Sequence, residues 1–290
     1  MAVKTWIGGA RPRTLPAAVV PVAVGVACAV GVEPVIWWRA AAALVVALAL
    51  QVATNYANDY SDGVKGTDTV RIGPVRLVAG GLASPNKVKT AALAAFGVAG
   101  AAGGALALAV GPEILVVGAL AMLAGWFYTG GPKPYGYYGY GELFVFVFFG
   151  VVATAGTTYV LLERVTGLSL YVSVPVGFLA CALLVVNNLR DIPTDTAAGK
   201  KTLAVRMGDR ATRGLYVALV LAAHLMLPFL ALFDRPAGAV ALGTVLLART
   251  PIQRVLEGVK GRDLIPVLGE TGRVQLLFGA LLTLGLVFVR

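Results

Sequence analysis

Histidine and cysteine are nearly absent: His224 stands alone, and Cys28 and Cys181 are the only thiols in 290 residues. Two cysteines so far apart, each inside an apolar run, give neither a disulfide framework nor the paired spacing of a zinc site. They read as core packing. A single histidine in the middle of an apolar run points to one hydrogen bond to a neighbouring helix. Charge is scarce as well, 13% of residues against 58% hydrophobic, with mean hydropathy +0.83. That excludes an ordinary soluble domain and turns attention to membrane-spanning length.

A helix needs about 20 apolar residues to cross the hydrocarbon core. Nine runs of that kind are predicted, over 14–32, 36–57, 88–110, 113–129, 142–162, 168–189, 214–233, 237–256 and 274–289. Arg249, Pro251 and Arg254 interrupt the eighth. Lys4, Arg11 and Arg13 before the first run give it a superficial likeness to a secretory signal. With eight further runs behind it, a retained first helix is expected. Residues 1–290 thus read as one all-α integral membrane bundle, with no tandem repeat of solenoid type.

The net charge of +10 does not indicate nucleic acid, because its placement follows topology. With nine crossings the loops alternate sides, and all but Arg39, Arg164, Arg235 and Arg290 of the 24 basic residues fall on one of them. The positive-inside rule makes that side cytoplasmic, with the N-terminus inside and the C-terminus outside. The connections on this side are also the long ones, over 58–87, 129–141 and 190–213, and long ordered loops on one face usually carry function.

Against this apolar background two acidic, asparagine-bearing patches stand out: NYANDYSD at 55–62 and NNLRDIPTD at 187–195. A carboxylate placed mid-helix in a bilayer costs about 2.5–3.5 kcal/mol on insertion scales, so such a residue is a functional candidate by default. The patches end the second and sixth runs. Four crossings separate them, an even number, so both are expected at the cytoplasmic end. Asn55 with Asp59, Asn58 with Asp62, Asn188 with Asp191 and Asp191 with Asp195 are spaced three or four apart, one helical turn. Each patch therefore presents its oxygens on one face.

Hard divalent cations take oxygen ligands, and magnesium binds one or two carboxylates together with substrate phosphates. Two such clusters facing one cavity suit two or three Mg2+ ions set against a diphosphate. Asn55, Asn58 and Asn188 offer amide oxygens, while Arg71 and Arg76 after the first patch and Lys200, Lys201 and Arg206 after the second suit the phosphate oxygens. Isolated Asp and Asn at helix ends commonly just cap helices or form turns. Two patches of matching design on one face favour the metal–phosphate reading.

NDYSDGVKGTD at 58–68 resembles the first aspartate motif of the UbiA superfamily of intramembrane prenyltransferases, and DIPTD at 191–195 resembles its second. The stretches GPVRLVAGGLASP at 73–85, YTGGPKPYG at 128–136, the run from Asn187 through GKKTLAVRMG at 199–208, and Phe144 to Gly156 are similar to the branch that acts on 1,4-dihydroxy-2-naphthoate in menaquinone biosynthesis. The likeness runs from about Ala10 to Gly214. One departure is Gly66, where many members carry a third aspartate; here the third carboxylate is Asp68.

The resemblance implies Mg2+-dependent transfer from a polyprenyl diphosphate to 1,4-dihydroxy-2-naphthoate, with loss of CO2, a proton and diphosphate. It implies Asp59, Asp62, Asp191 and Asp195, with Asp68 beside them, as metal ligands. It implies Lys133 as a catalytic residue and Asn55, Asn58, Arg76, Tyr135, Asn187, Asn188, Arg190, Lys200, Lys201 and Arg206 as substrate contacts. Tyr137, Tyr138 and Tyr140 fit either a cation-shielding wall or an interfacial aromatic belt, and Glu142 is expected to orient Lys133. A bacterial cytoplasmic membrane and lipid contact follow; oligomeric state and prenyl length are left open. Alternatives are a superfamily member using 4-hydroxybenzoate or transferring a phytyl group, or a transporter, which would place charges at mid-membrane.

Overall fold

The computed structural model describes residues 3–67, 73 and 76–288, and among these the regular structure is entirely helical. In chain order the α-helices are α1 (Val3–Ala10), α2 (Pro16–Ala29), α3 (Trp37–Lys65), α4 (Pro85–Val110), α5 (Glu113–Phe127), α6 (Gly141–Val145), α7 (Ala153–Leu162), α8 (Gly167–Ala197), α9 (Leu203–Leu225), α10 (Val245–Leu256) and α11 (Leu264–Val287). A π-helical stretch, Phe146–Val152, joins α6 to α7, and 3-10 stretches extend α9 and precede α10.

Seven helices or fused helices are long and apolar enough to cross a membrane. Val3–Thr14 and Pro16–Ala29, bent by 54° at their junction, pass the same test together. Helix α5, the remaining apolar helix, has 15 residues, about 22 Å of helix against a hydrocarbon core of roughly 30 Å. Each of the nine predicted runs falls on one of these segments. The chain is a multi-pass membrane protein.

The two longest helices position the site. Helix α3 has 29 residues and α8 has 31, lengths of about 44 and 46 Å that exceed the hydrocarbon core. Their C-terminal turns, which carry the acidic patches, can thus lie beyond it. Helix α3 stops at Gly66, whose left-handed backbone (φ 70°) is the usual glycine solution at a helix C-terminus. Helix α8 starts at a capping box made by Thr166 and Ser169. At the other end of α3, Arg39 donates to the carbonyls of Val160 and Ala109 and pairs with Glu163 at 2.8 Å, tying three elements together away from the patches.

The core is divided. One apolar cluster joins α2, α8, α9 and α11 through Val24, Leu179, Tyr216 and Phe278; another joins α3 to α4 through Ala53, Ala57, Val88 and Phe96. His224 is buried and contacts Thr244 Oγ1 through Nε2 at 2.9 Å, the inter-helix hydrogen bond expected of it. Cys28 and Cys181 are buried and unpaired with each other. Trp37 and Trp38 are exposed at the start of α3. Between the π-helix and α8 the backbones nearly touch, since a Cβ on Gly150 would come 2.7 Å from Gly177 Cα. Gly150→Val is therefore expected to destabilise the fold by about 1–3 kcal/mol through overpacking, read as a lower melting temperature in detergent.

Candidate active site

Asn55, Asn58, Asp59 and Asp62 follow one another at intervals of three, one and three residues, so they line one face of α3. That face is turned inward, and all four are buried. Asp59, 1% exposed, accepts the backbone N–H groups of Leu77 at 2.9 Å and Val78 at 3.0 Å, which folds the following chain back over the helix end. Asp62 accepts the Tyr137 hydroxyl. Asn58 Oδ1 accepts from Thr129 Oγ1 at 2.8 Å. Asn55 donates through Nδ2 to Ala10 O at 2.9 Å and Thr14 Oγ1 at 3.2 Å, holding the bend between α1 and α2.

The second patch is built around Arg190, 2% exposed. Its Nε and Nη2 grip the two carboxylate oxygens of Asp191, each at 2.7 Å, and Nη2 also donates to Asn187 Oδ1 at 2.9 Å. Planar two-point pairing of this kind is the strong form of a charged hydrogen bond. Helix α8 then ends, Gly199 turns the chain at φ 72°, and Lys200 is brought back over the helix it has just left. Its Nζ lies 3.5 Å from Asp62 Oδ1 and 3.9 Å from Asp195 Oδ1. One buried ammonium thus joins the two patches, which the structure places at the same end of the bundle.

All of these groups line a single cavity of about 840 Å³. Asp59, Asp62, Asp191, Asp195, Asn55, Asn58, Asn187, Asn188, Arg76, Arg190, Lys200 and Tyr135 face it at the polar end. From there the cavity runs between α3, α4, α5 and the π-helix, walled by apolar and small side chains including Leu50, Gly103, Gly118, Met122 and Phe148. π-Helical turns recur at functional sites, and this one contributes Phe148, Phe149 and Val152 to the wall. Tyr135 stacks on Phe144 with ring centroids 3.9 Å apart, and its hydroxyl donates to Ala124 O at 2.8 Å. Burial pushes the Tyr135 phenol above its ordinary range, so it stays neutral at physiological pH.

Three predicted contacts are not brought to the cavity. Lys133 is exposed and does not line it. Tyr135, two residues further on, does line it. Lys201 and Arg206 are exposed as well. The Lys201 backbone N–H donates to Tyr137 O at 2.8 Å, and Arg206 Nε donates to Lys201 O at 3.1 Å, so both hold the loop. Glu142 does not orient Lys133; its Oε1 accepts from Asn188 Nδ2 at 3.0 Å. Asp68 and Arg71 lie outside the described residues.

Other contributors were not singled out from the sequence as site residues. Lys65 donates to the carbonyls of Thr129 and Gly131 at 2.7 and 2.9 Å, clamping the Gly/Pro/Tyr loop to the end of α3. Tyr137, by contrast, is one of the tyrosines read from the sequence as a cation-shielding wall or an aromatic belt; two ammonium groups, Lys65 at 5.1 Å and Lys200 at 4.7 Å from its ring centroid, lie in cation–π range. Tyr128 and Thr129 were visible only as members of the 128–136 motif.

The donor chemistry fits a hard divalent cation. Carboxylate, amide and phenol oxygens converge on the cavity, and no thiol or imidazole is found among its described lining residues. Among the described residues no three His, Cys, Asp or Glu side chains close on a single point. The carboxylates are instead arranged around the Lys200 ammonium and the Arg190 fork.

A helical membrane protein with a large cavity that joins a charged mouth to an apolar interior is built for a substrate with an anionic head and a lipid tail. The comparisons give this class its family. Residues 18–263 match the UbiA prenyltransferase family. The chain is 50% identical over 273 residues to the 1,4-dihydroxy-2-naphthoate octaprenyltransferase of Mycobacterium tuberculosis, covering 94% of this chain and 93% of that one. A UbiA homologue from Aeropyrum pernix K1 superposes with a TM-score of 0.71 at 16% identity, over 98% of each chain. A UbiA homologue from Archaeoglobus fulgidus bound to GPP and Mg2+ gives 0.65 at 17% identity, over 98% of this chain and 100% of that one. The chain belongs to the UbiA prenyltransferase family and is a membrane prenyltransferase.

Proposed function

We propose that this enzyme transfers a polyprenyl group from polyprenyl diphosphate to 1,4-dihydroxy-2-naphthoate, releasing diphosphate and CO2 and giving demethylmenaquinol. The observation that carries the reading is the continuous cavity, charged at one end and apolar along its length. The named relative at 50% identity supports the choice of acceptor.

Lys200, Arg190 and Arg76 sit at the polar end, where they can hold the diphosphate. Asp59, Asp62, Asp191 and Asp195 would hold Mg2+ there, with Asp68 as a further candidate. Bound Mg2+ neutralises the diphosphate and makes it a better leaving group. The prenyl tail lies among the apolar helices, out of water. The Tyr135–Phe144 stack offers a flat wall for the naphthoate ring. As the allylic C–O bond breaks, the ring carbon bearing the carboxylate forms the new C–C bond. The bond to the carboxylate then breaks, and its electron pair restores the aromatic ring as CO2 leaves. No nucleophilic side chain is required; the residues supply orientation and electrostatics.

Nine crossings, an N-terminus in the cytoplasm, a C-terminus outside and a site at the cytoplasmic end are part of the same proposal. They rest on the distribution of basic residues and on the helical segments that cover each run. So is placement in a bacterial cytoplasmic membrane as a single domain. The test is purified protein with Mg2+, a polyprenyl diphosphate and either 1,4-dihydroxy-2-naphthoate or 4-hydroxybenzoate, following diphosphate and CO2 together. Equimolar release of both with the naphthoate is expected. Transfer to 4-hydroxybenzoate alone would overturn the acceptor assignment.

A further inference from the structure

Glu142 opens α6 and is buried, 9% exposed. One carboxylate oxygen accepts from Asn188 Nδ2 at 3.0 Å. The other, Oε2, has no hydrogen-bond partner among the described residues, and no lysine or arginine pairs with Glu142 there. A buried carboxylate half satisfied in this way is costly and calls for a reason. It is also held in place: Cys181 Sγ contacts its backbone carbonyl at 3.2 Å, so α8 grips α6 at two points.

Asn188 lines the cavity, whereas Glu142, its partner, does not. A carboxylate only accepts hydrogen bonds, so it draws the NH2 group of Asn188 towards itself. The amide oxygen of Asn188, a residue that lines the cavity, is thereby turned away from Glu142. Tyr128 lines the cavity beside this pair, packed so closely that a Cβ on Gly141 would lie 3.4 Å from its hydroxyl oxygen. The Tyr135–Phe144 stack continues the same stretch of wall. A flat apolar face thus adjoins an acceptor oxygen and a neutral phenol.

We infer that Glu142, Asn188 and Tyr128 form the subsite that reads the ring hydroxyls of the aromatic acceptor, with Glu142 as the positioning residue that fixes the Asn188 amide. The charge pattern assigns that end of the ring. A buried carboxylate without a cation repels the acceptor's own carboxylate and the diphosphate, and favours a neutral group that donates a hydrogen bond. The anionic groups belong at the other end, with Arg190 and Lys200. The inference rests on the proposed acceptor and deepens it.

The experiment compares wild type with Glu142→Gln in the full chain, with Mg2+ and both substrates varied. Gln keeps the size of Glu but has a donor as well as an acceptor, so the Asn188 amide is no longer held one way. KM for 1,4-dihydroxy-2-naphthoate is expected to rise about tenfold, the loss of one good hydrogen bond, while KM for the polyprenyl diphosphate stays within about twofold. Preference for the dihydroxy acid over 2-naphthoate, measured as the ratio of binding constants by calorimetry, should fall by the same factor. Exchanging the pair, Glu142→Gln with Asn188→Asp, again places an acceptor oxygen at position 188 and should recover most of the lost acceptor affinity. Equal changes in both KM values, no change in either, or no recovery in the exchanged pair would overturn the subsite. If the wild type prenylates no naphthoate, the proposed function fails, and the calorimetric ratio still decides the subsite.

Discussion

Asp191→Asn is expected to lower kcat/KM by about a hundred- to a thousandfold, the scale of removing one group from a pre-arranged charged site. The side chain loses its charge and one of its two acceptor oxygens. Arg190 holds both oxygens at 2.7 Å and is 2% exposed, so the substitution also leaves a buried guanidinium short of its counter-charge. Breaking one side of a buried ion pair costs about 3 kcal/mol. A fall in melting temperature should therefore accompany the loss of turnover. The two effects separate under conditions where the variant stays folded: diphosphate release and CO2 release should fall together, because both depend on ionisation of the prenyl donor. Near wild-type turnover in a folded Asp191→Asn protein would remove Asp191 from the charged site.

The contrast between what could and could not be read from the sequence is clearest at the loops. Periodicity and apolar length are properties of a helix by itself. The pairing of Asn58 with Asp62 and of Asp191 with Asp195 on single faces therefore needed only the spacing. Counting crossings put both patches at one end, and Lys200 now bridges them. Loop direction has no such rule. Lys133, Lys201 and Arg206 stand in motif-like stretches, yet all three side chains are exposed and none lines the cavity. Lys65 could not be assigned because its targets are backbone carbonyls of Thr129 and Gly131, which leave no trace in the identity of those residues. Glu142 was tied to a nearby basic residue by sequence proximity; its actual partner, Asn188, comes from a distant helix. The bend before α2 was hidden because hydropathy does not report direction.

Lys200→Met is expected to cost about a hundredfold in kcat/KM, mostly through KM for the polyprenyl diphosphate, whereas Lys201→Met should stay within about twofold. The two lysines are adjacent, and sequence alone gives no basis for ranking them. The turn at Gly199 separates their fates. Lys200 is 7% exposed, within 3.9 Å of carboxylates from both patches, and stands over the Tyr137 ring. Lys201 is exposed and contributes its backbone N–H. Charge-assisted hydrogen bonds are worth about 1.5–3 kcal/mol, which brackets the predicted factor. Removing the ammonium would also leave Asp62 and Asp195 facing each other without the cation that now offsets their repulsion. Lys200→Arg keeps the charge but replaces a compact ammonium with a planar fork that does not fit between the same two carboxylates, so only partial recovery is expected. Steady-state kinetics on the four proteins, with the prenyl donor varied at saturating acceptor, checks the whole series. A Lys201→Met defect as large as that of Lys200→Met would mean that the exposed lysine reaches the donor, and that the 195–201 turn takes a different course in the working enzyme.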